Sequence, residues 1–129
     1  MSALTIFLVE DSLPVLDRYR EMIDDIVGAK LLGAADNEAD AINQIHLNCP
    51  ELVVLDLNLK DGNGFEVLRK LKLLTPNIAI AVVTNFNHPQ IKSRCLTLGA
   101  DYFFDKTRGN KGFVELIGKL AQKQSPRMR

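Results

Sequence analysis

The sequence predicts an α/β fold: a doubly wound, five-stranded parallel sheet with helices on both faces. Three observations carry that prediction. Short apolar runs alternate five times with longer amphipathic stretches, the rhythm of strand and crossover helix. Two of the runs, residues 52–55 and 78–83, are apolar throughout, which suits parallel strands covered on both sides. The length, 129 residues with 47% hydrophobic side chains, fits one domain able to bury a core without disulfide or metal staples.

The elements follow in order. Residues 4–9 form the first strand. Ser12 is placed to cap the first helix, and Pro14 sits in its first turn, where a missing N–H costs nothing. Leu16, Tyr19, Ile23 and Ile26 recur at helical spacing. Residues 30–35 make a second strand. Asp36 or Asn37 caps the second helix, whose inner face is Ala41, Ile42 and Ile45, and Pro50 stops it. Residues 51–57 are the central strand, and residues 60–64, with Gly62 and Gly64, are loop. Phe65, Leu68 and Leu71 mark the third helix. Residues 78–83 are the fourth strand and 84–88 a loop.

Pro89 opens the fourth helix, which carries Ile91, Cys95 and Leu98, and Gly99 follows as its natural stop. Residues 101–105 form the fifth strand. Asn110 caps the last helix, with Phe113, Leu116, Ile117 and Leu120 inward. The domain is expected to occupy residues 1–121, and residues 122–129 form a short polar tail. Right-handed crossovers and five strands fit the flavodoxin-like order 2-1-3-4-5.

Charge and composition remove several function classes. Sixteen basic residues balance sixteen acidic ones, but unevenly: residues 1–64 sum to −8 and residues 65–129 to +8. The basic half has no aromatic interleaving and no DNA- or RNA-binding motif, so it reads as a solvated or docking face, with no direct nucleic-acid binding. Cys49 and Cys95 make no disulfide framework and are expected to be buried and reduced. His46 and His88 are expected to face solvent. The longest aliphatic run has six residues, against the roughly 18 of a membrane span. No basic segment precedes the first apolar stretch, so no secretory leader is expected. These readings point to a cytoplasmic protein without membrane association.

In such a sheet, chemistry collects at the carboxyl ends of the strands. There the sequence reads Glu10-Asp11, Asp56, Thr84 and Lys106. With strands one and three adjacent, three carboxylates share one pocket. At about 5 Å and an effective dielectric near 20, each like-charge pair costs roughly 3 kcal/mol. Either a proton or a cation must compensate. Lys106 supplies one positive charge, and a hard divalent ion, Mg²⁺ above all, balances the rest. A carboxylate nucleophile, a metal, an ammonium and a hydroxyl are what phosphoryl transfer requires.

Glu10-Asp11, the apolar strand ending in Asp56, Thr84 after the fourth strand, and Gly99-Ala100 leading to Lys106 together resemble the receiver domain of two-component response regulators. The likeness spans about residues 4 to 121. It implies that Asp56 is a phosphoacceptor, loaded from a phosphohistidine on a sensor histidine kinase or phosphotransfer protein. It implies that Asp11, Asp56 and the backbone carbonyl of Asn58 bind Mg²⁺ directly, with Glu10 acting through water. Lys106 would pair with Asp56 or the phosphoryl group. Thr84 would bond a phosphoryl oxygen and act as a switch with the aromatic at position 103, changing the surface around the fourth helix, fifth strand and fifth helix.

Four positions depart from the pattern. Phe103 lacks the hydroxyl of the usual Tyr, so a switch there works by packing, and Tyr102 points the other way. Thr107 replaces a Pro often in a cis bond, so this loop is expected to be built differently. Asn85 replaces a small residue, and Lys60 stands where Pro is common.

Other chemistries fit less well. A phosphatase of the haloacid-dehalogenase type needs an acid two positions after its nucleophile, and Asn58 stands there. A flavin carrier would have its phosphate repelled by Glu10-Asp11. A degenerate receiver that never takes phosphate would not need the intact acid set. The expectation is a phosphoacceptor module and not an enzyme, with self-phosphorylation from small donors and self-dephosphorylation. No effector domain is expected after the last helix, so output is expected through contact with a downstream protein or through a phosphorelay, with a homodimer among the expected partners.

Overall fold

A computed structural model describes residues 3–59, 62–85 and 88–124. Lys60, Asp61 and the tail beyond residue 124 lie outside it, as do Phe86 and Asn87 of the expected 84–88 loop. The elements alternate without exception: β1 (Leu4–Val9), α1 (Leu13–Asp24), β2 (Ala29–Ala35), α2 (Glu38–Asn48), β3 (Leu52–Asp56), α3 (Gly64–Leu74), β4 (Ala79–Thr84), α4 (Pro89–Thr97), β5 (Tyr102–Asp105), a single 3-10 turn (Lys106–Arg108) and α5 (Lys111–Gln124). The five strands are all parallel, in the order β2-β1-β3-β4-β5.

Side-chain alternation divides the core between the two faces of the sheet. Phe7, Val9, Val53, Leu55, Ile80 and Val82 point to one face, where α2, α3 and α4 bring Ile45, Leu68, Leu71 and Cys95. Ile6, Leu8, Leu52, Val54, Ala81 and Val83 point to the other, where α1 and α5 bring Tyr19, Ile23, Phe113 and Ile117. Each large aliphatic side chain buried this way contributes about 1.5–3 kcal/mol. On β5, Phe103 joins the first cluster while Tyr102 and Phe104 join the second, as alternation requires.

Several expected boundaries move, for identifiable reasons. Asp101 does not start β5: its carboxylate accepts from the Ile80 N–H at 2.8 Å and from Lys72 Nζ at 2.6 Å, bracing β4 instead. Thr84 is the last residue of β4 and not a loop residue, since the pairing with β5 runs on to Thr84 opposite Asp105. The last helix continues to Gln124. Cys49 is exposed, not buried. Helical spacing from Ile45 would turn it inward, but α2 ends at Asn48 and Cys49 takes a left-handed φ of 47°. That swings its thiol outward, where it bonds the His46 carbonyl at 3.3 Å. Cys95 is buried as expected, and both histidines face solvent.

The caps bear out part of the sequence reading. Asn37 caps α2 as expected, accepting from the Asp40 N–H, and Asn63, expected only as turn, caps α3 by accepting from the Phe65 N–H. Ser12 holds the N-cap position of α1 without a side-chain cap bond. Gly64 turns out to be the first residue of α3 and not a loop glycine. A Cβ there would lie 2.5 Å from the Leu57 Cα, so the helix approaches the backbone after β3 at a distance only glycine allows.

Candidate functional site

Among the described residues, the buried polar or charged side chains are Glu10, Asp56 and Thr84. Each stands at the carboxyl end of a strand. The buried polar side chains among the described residues thus gather at the carboxyl end of the sheet. Asp56 follows Val54 toward the α1–α5 face and is 4% exposed, while Glu10 is 3% exposed. Pairing of β1 with β3 makes their ends neighbours. Glu10, Asp11 and Asp56 each offer a carboxylate oxygen, and these oxygens lie within 4.8 Å of one another. Asp11 is half-buried at the rim.

Lys106 enters from β5. Its Nζ donates to Glu10 Oε1 at 3.0 Å and lies 3.4 Å from Asp56 Oδ2. The shorter contact is to Glu10, a pairing across 96 positions of sequence that the sequence does not announce. Glu10 Oε2 also accepts the Ser12 N–H at 3.1 Å, which fixes the start of α1 against the pocket. Asp56 Oδ1 accepts the Asn58 N–H at 3.1 Å, so the residue expected to lend a carbonyl also orients Asp56 through its amide.

The electrostatics follow from burial. Desolvation pushes the Asp56 carboxyl up to about 7 from an ordinary 3.8. The Asn58 N–H and Lys106 oppose that shift, and Glu10 adds to it through its charge and a shared hydrogen bond. Burial by itself would lower the Lys106 ammonium, but Asp56 and Glu10 outweigh it and raise it. Three ionised carboxylates against one ammonium leave two negative charges, the charge of one divalent ion. All the donor atoms are carboxylate oxygens, which suits a hard cation. The residues present therefore fit Mg²⁺.

The remaining expected residues are placed as follows. Thr84 is fully buried, one step along the sheet from Asp56, which pairs with Val83. Phe103 is half-buried against the α2–α4 cluster. Asn85 and Asn58 are exposed. After Lys106 the loop is a 3-10 turn: the Asp105 carboxylate accepts from the Thr107 N–H at 2.9 Å and from Thr107 Oγ1 at 2.6 Å. Thr107 thus makes two hydrogen bonds where a proline would make none.

Sequence reasoning took Tyr19 only as part of a helix face. The structure buries it at 3% exposure, with its phenol close enough to sense the charges of Lys106, Glu10 and Asp56. The one signal in sequence was a phenol at an otherwise aliphatic spacing. An open cavity of about 540 Å³ lies between α4, β5 and α5, lined by Pro89, Lys92, Phe103, Phe104, Arg108 and Gly112 among others.

Residues 6–118 match the response regulator receiver domain family. The protein-glutamate methylesterase/protein-glutamine glutaminase of Treponema denticola is 27% identical over 113 residues, covering 86% of this chain and 30% of its own. Response regulator UvrY of Escherichia coli K12 is 25% identical over 114 residues, covering 88% and 52%. The chain thus spans between about a third and half the length of these curated relatives. The crystal structure of a LuxR-family two-component response regulator from Aurantimonas sp. SI85-9A1 superposes with a TM-score of 0.86 at 23% identity, over 95% of this chain and 87% of that one. That likeness speaks for the fold.

Proposed function

Because the chain belongs to the response regulator receiver domain family of two-component systems, we propose that Asp56 is its phosphoacceptor, loaded by a histidine kinase or phosphotransfer protein. The observation that carries this reading is the convergence of Glu10, Asp11, Asp56 and Lys106 at one strand end. An Asp56 carboxylate oxygen attacks phosphorus. The bond from phosphorus to the donor breaks, and the donor leaves with the electron pair. The product is an acyl phosphate on Asp56. Lys106 already lies within 3.4 Å of Asp56 and neutralises charge on the incoming oxygens. The Thr84 hydroxyl is the group to bond one of them. Asn58 holds Asp56 through its amide, leaving Asp56 Oδ2 on the Lys106 side.

Glu10, Asp11 and Asp56, with the Asn58 carbonyl, are the residues to hold Mg²⁺. When bound, the ion supplies the positive charge that lets all three carboxylates stay ionised beside a phosphoryl group. The module is not itself an enzyme toward other molecules; it self-phosphorylates from small donors and loses the group by hydrolysis. Output runs through Thr84 and Phe103 to the cavity between α4, β5 and α5, where Phe103 is a wall and a downstream protein docks. Among the described residues no helix is long and apolar enough to cross a membrane.

The test is direct. With Mg²⁺ and a small phosphodonor, mass spectrometry should find one added phosphoryl group, absent in Asp56→Asn and absent after chelation. An unchanged mass in protein that binds Mg²⁺ would overturn the reading.

A further inference from the structure

We propose that Glu38 is a positioning residue that fixes the loop after β3, and with it the Asn58 carbonyl, for the metal ion. The inference rests on the reading of Asn58 as a metal-binding residue and brings a side chain of α2 into that site. The three carboxylates of the pocket stand at or just past strand ends, where the sheet fixes them. Asn58 has no such support: it is exposed and lies two residues past the end of β3. Its N–H is tied to Asp56 Oδ1, but where its carbonyl points depends on the chain that follows. Mg²⁺ demands near-octahedral geometry, so a carbonyl that wanders is a poor ligand.

Glu38 is the first residue of α2, and Asn37 sets that turn by accepting the Asp40 N–H at 2.9 Å. The Glu38 side chain is 24% exposed, and its two oxygens divide between a helix and a loop. Oε2 lies 2.8 Å from Lys70 Nζ on α3, and Oε1 accepts the Asn63 N–H at 3.3 Å. The loop also presses on the Glu38 stem. Gly62 has a φ of 106°, and a Cβ there would lie 2.6 Å from the Glu38 Cβ. Asn63 in turn caps α3, and Gly64 settles on Leu57, the residue that joins Asp56 to Asn58. Contacts therefore run unbroken from Glu38 through Asn63, Gly64 and Leu57 to Asn58. Water could satisfy the Asn63 N–H in place of the carboxylate, but water is not attached to α2.

A test has to separate this hydrogen bond from the charge of Glu38 and from its ion pair. Lys70→Met removes the ion pair. In that background Glu38→Gln keeps an oxygen for the Asn63 N–H, and Glu38→Ala removes it. Both double variants keep the net charge of the wild type, and both lose the same charge at the start of α2. Mg²⁺ affinity is measured by titration calorimetry on the full chain, without phosphodonor. Amide hydrogen exchange at Asn58 and Asn63 is followed with chelator present, and unfolding midpoints report whether the fold is preserved.

The Glu38→Ala double variant should bind Mg²⁺ about fivefold more weakly than the Glu38→Gln one, the scale of one neutral hydrogen bond. Both amides should also exchange faster in it. The Glu38→Gln double variant should match Lys70→Met alone. Equal affinities in the two double variants would overturn the proposal, and so would equal exchange at Asn58. Differences that only follow the unfolding midpoints would do the same, since they mark a structural role. If the wild type binds no Mg²⁺, the reading of Asn58 as a metal-binding residue fails, while Asn58 exchange still decides whether Glu38 fixes the loop.

Discussion

Asp56→Asn should stabilise the metal-free protein, and the gain should grow with pH in a way the pocket dictates. In the folded chain the Asp56 carboxyl titrates at about 7, because burial and Glu10 disfavour its charge. In the unfolded chain it returns to about 3.8. A folded value raised above the unfolded one means that the stabilising contribution is complete below about pH 4. It is lost as pH rises, and fully lost above about pH 7.

The gap of about 3 units corresponds to ~4 kcal/mol, at 1.36 kcal/mol per unit. The substituted amide carries no charge and escapes that loss, while Lys106 keeps its 3.0 Å contact to Glu10. Urea denaturation in the presence of chelator is the assay, with both proteins measured at each pH from 4 to 9. The difference in unfolding free energy should be small at pH 4, widen through pH 5–7, and level off above pH 7 at a few kcal/mol in favour of the variant. Added Mg²⁺ should stabilise the wild type more than the variant. A difference that does not change with pH would refute the account of a carboxylate kept uncomfortable by burial.

Other consequences are simpler to check. Gly64→Ala puts a Cβ about 2.5 Å from the Leu57 Cα, so α3 must back away from the segment that follows Asp56. The expected loss is about 2–3 kcal/mol by denaturant titration. Asp101→Ala removes the acceptor of the Ile80 N–H and the partner of Lys72, far from the pocket. It should cost about 1–3 kcal/mol and leave the phosphorylation rate unchanged. Thiol alkylation of the native protein should modify Cys49 and spare Cys95, which is buried and whose thiol is pushed up to about 11 by desolvation. Cys95 should react only on unfolding, as read by peptide mass.

Much of the site was legible because its physics is local. A carboxylate placed directly after Val53-Val54-Leu55 is already anomalous in sequence, and so is an acid pair after the apolar first strand. Once the strand order follows from the alternation, those acids must meet. Residues whose surroundings are set by distant segments were harder to read. The preference of Lys106 for Glu10 depends on how a 3-10 turn aims a flexible stem. The role of Gly64 depends on how closely a helix settles on Leu57. The burial usual for a free cysteine fails at Cys49 because α2 ends one residue earlier and the left-handed cap turns the thiol outward. The bounds of β4 and β5 shifted by a residue because the ladder partner, not the apolar run, decides where a strand stops.

The strand order has an electrical consequence. α2, which carries Glu38 and Asp40, packs on β2, and α4, which carries Lys92 and Arg94, packs on β5, so charges of opposite sign stand over the two edges of the sheet on this face. A molecule with no net charge is then still a dipole, and an approaching charged body turns it before the two touch. Encounter rates with such a body should fall as salt is added, over screening lengths of about 10 Å at 0.1 M, while dissociation rates change far less.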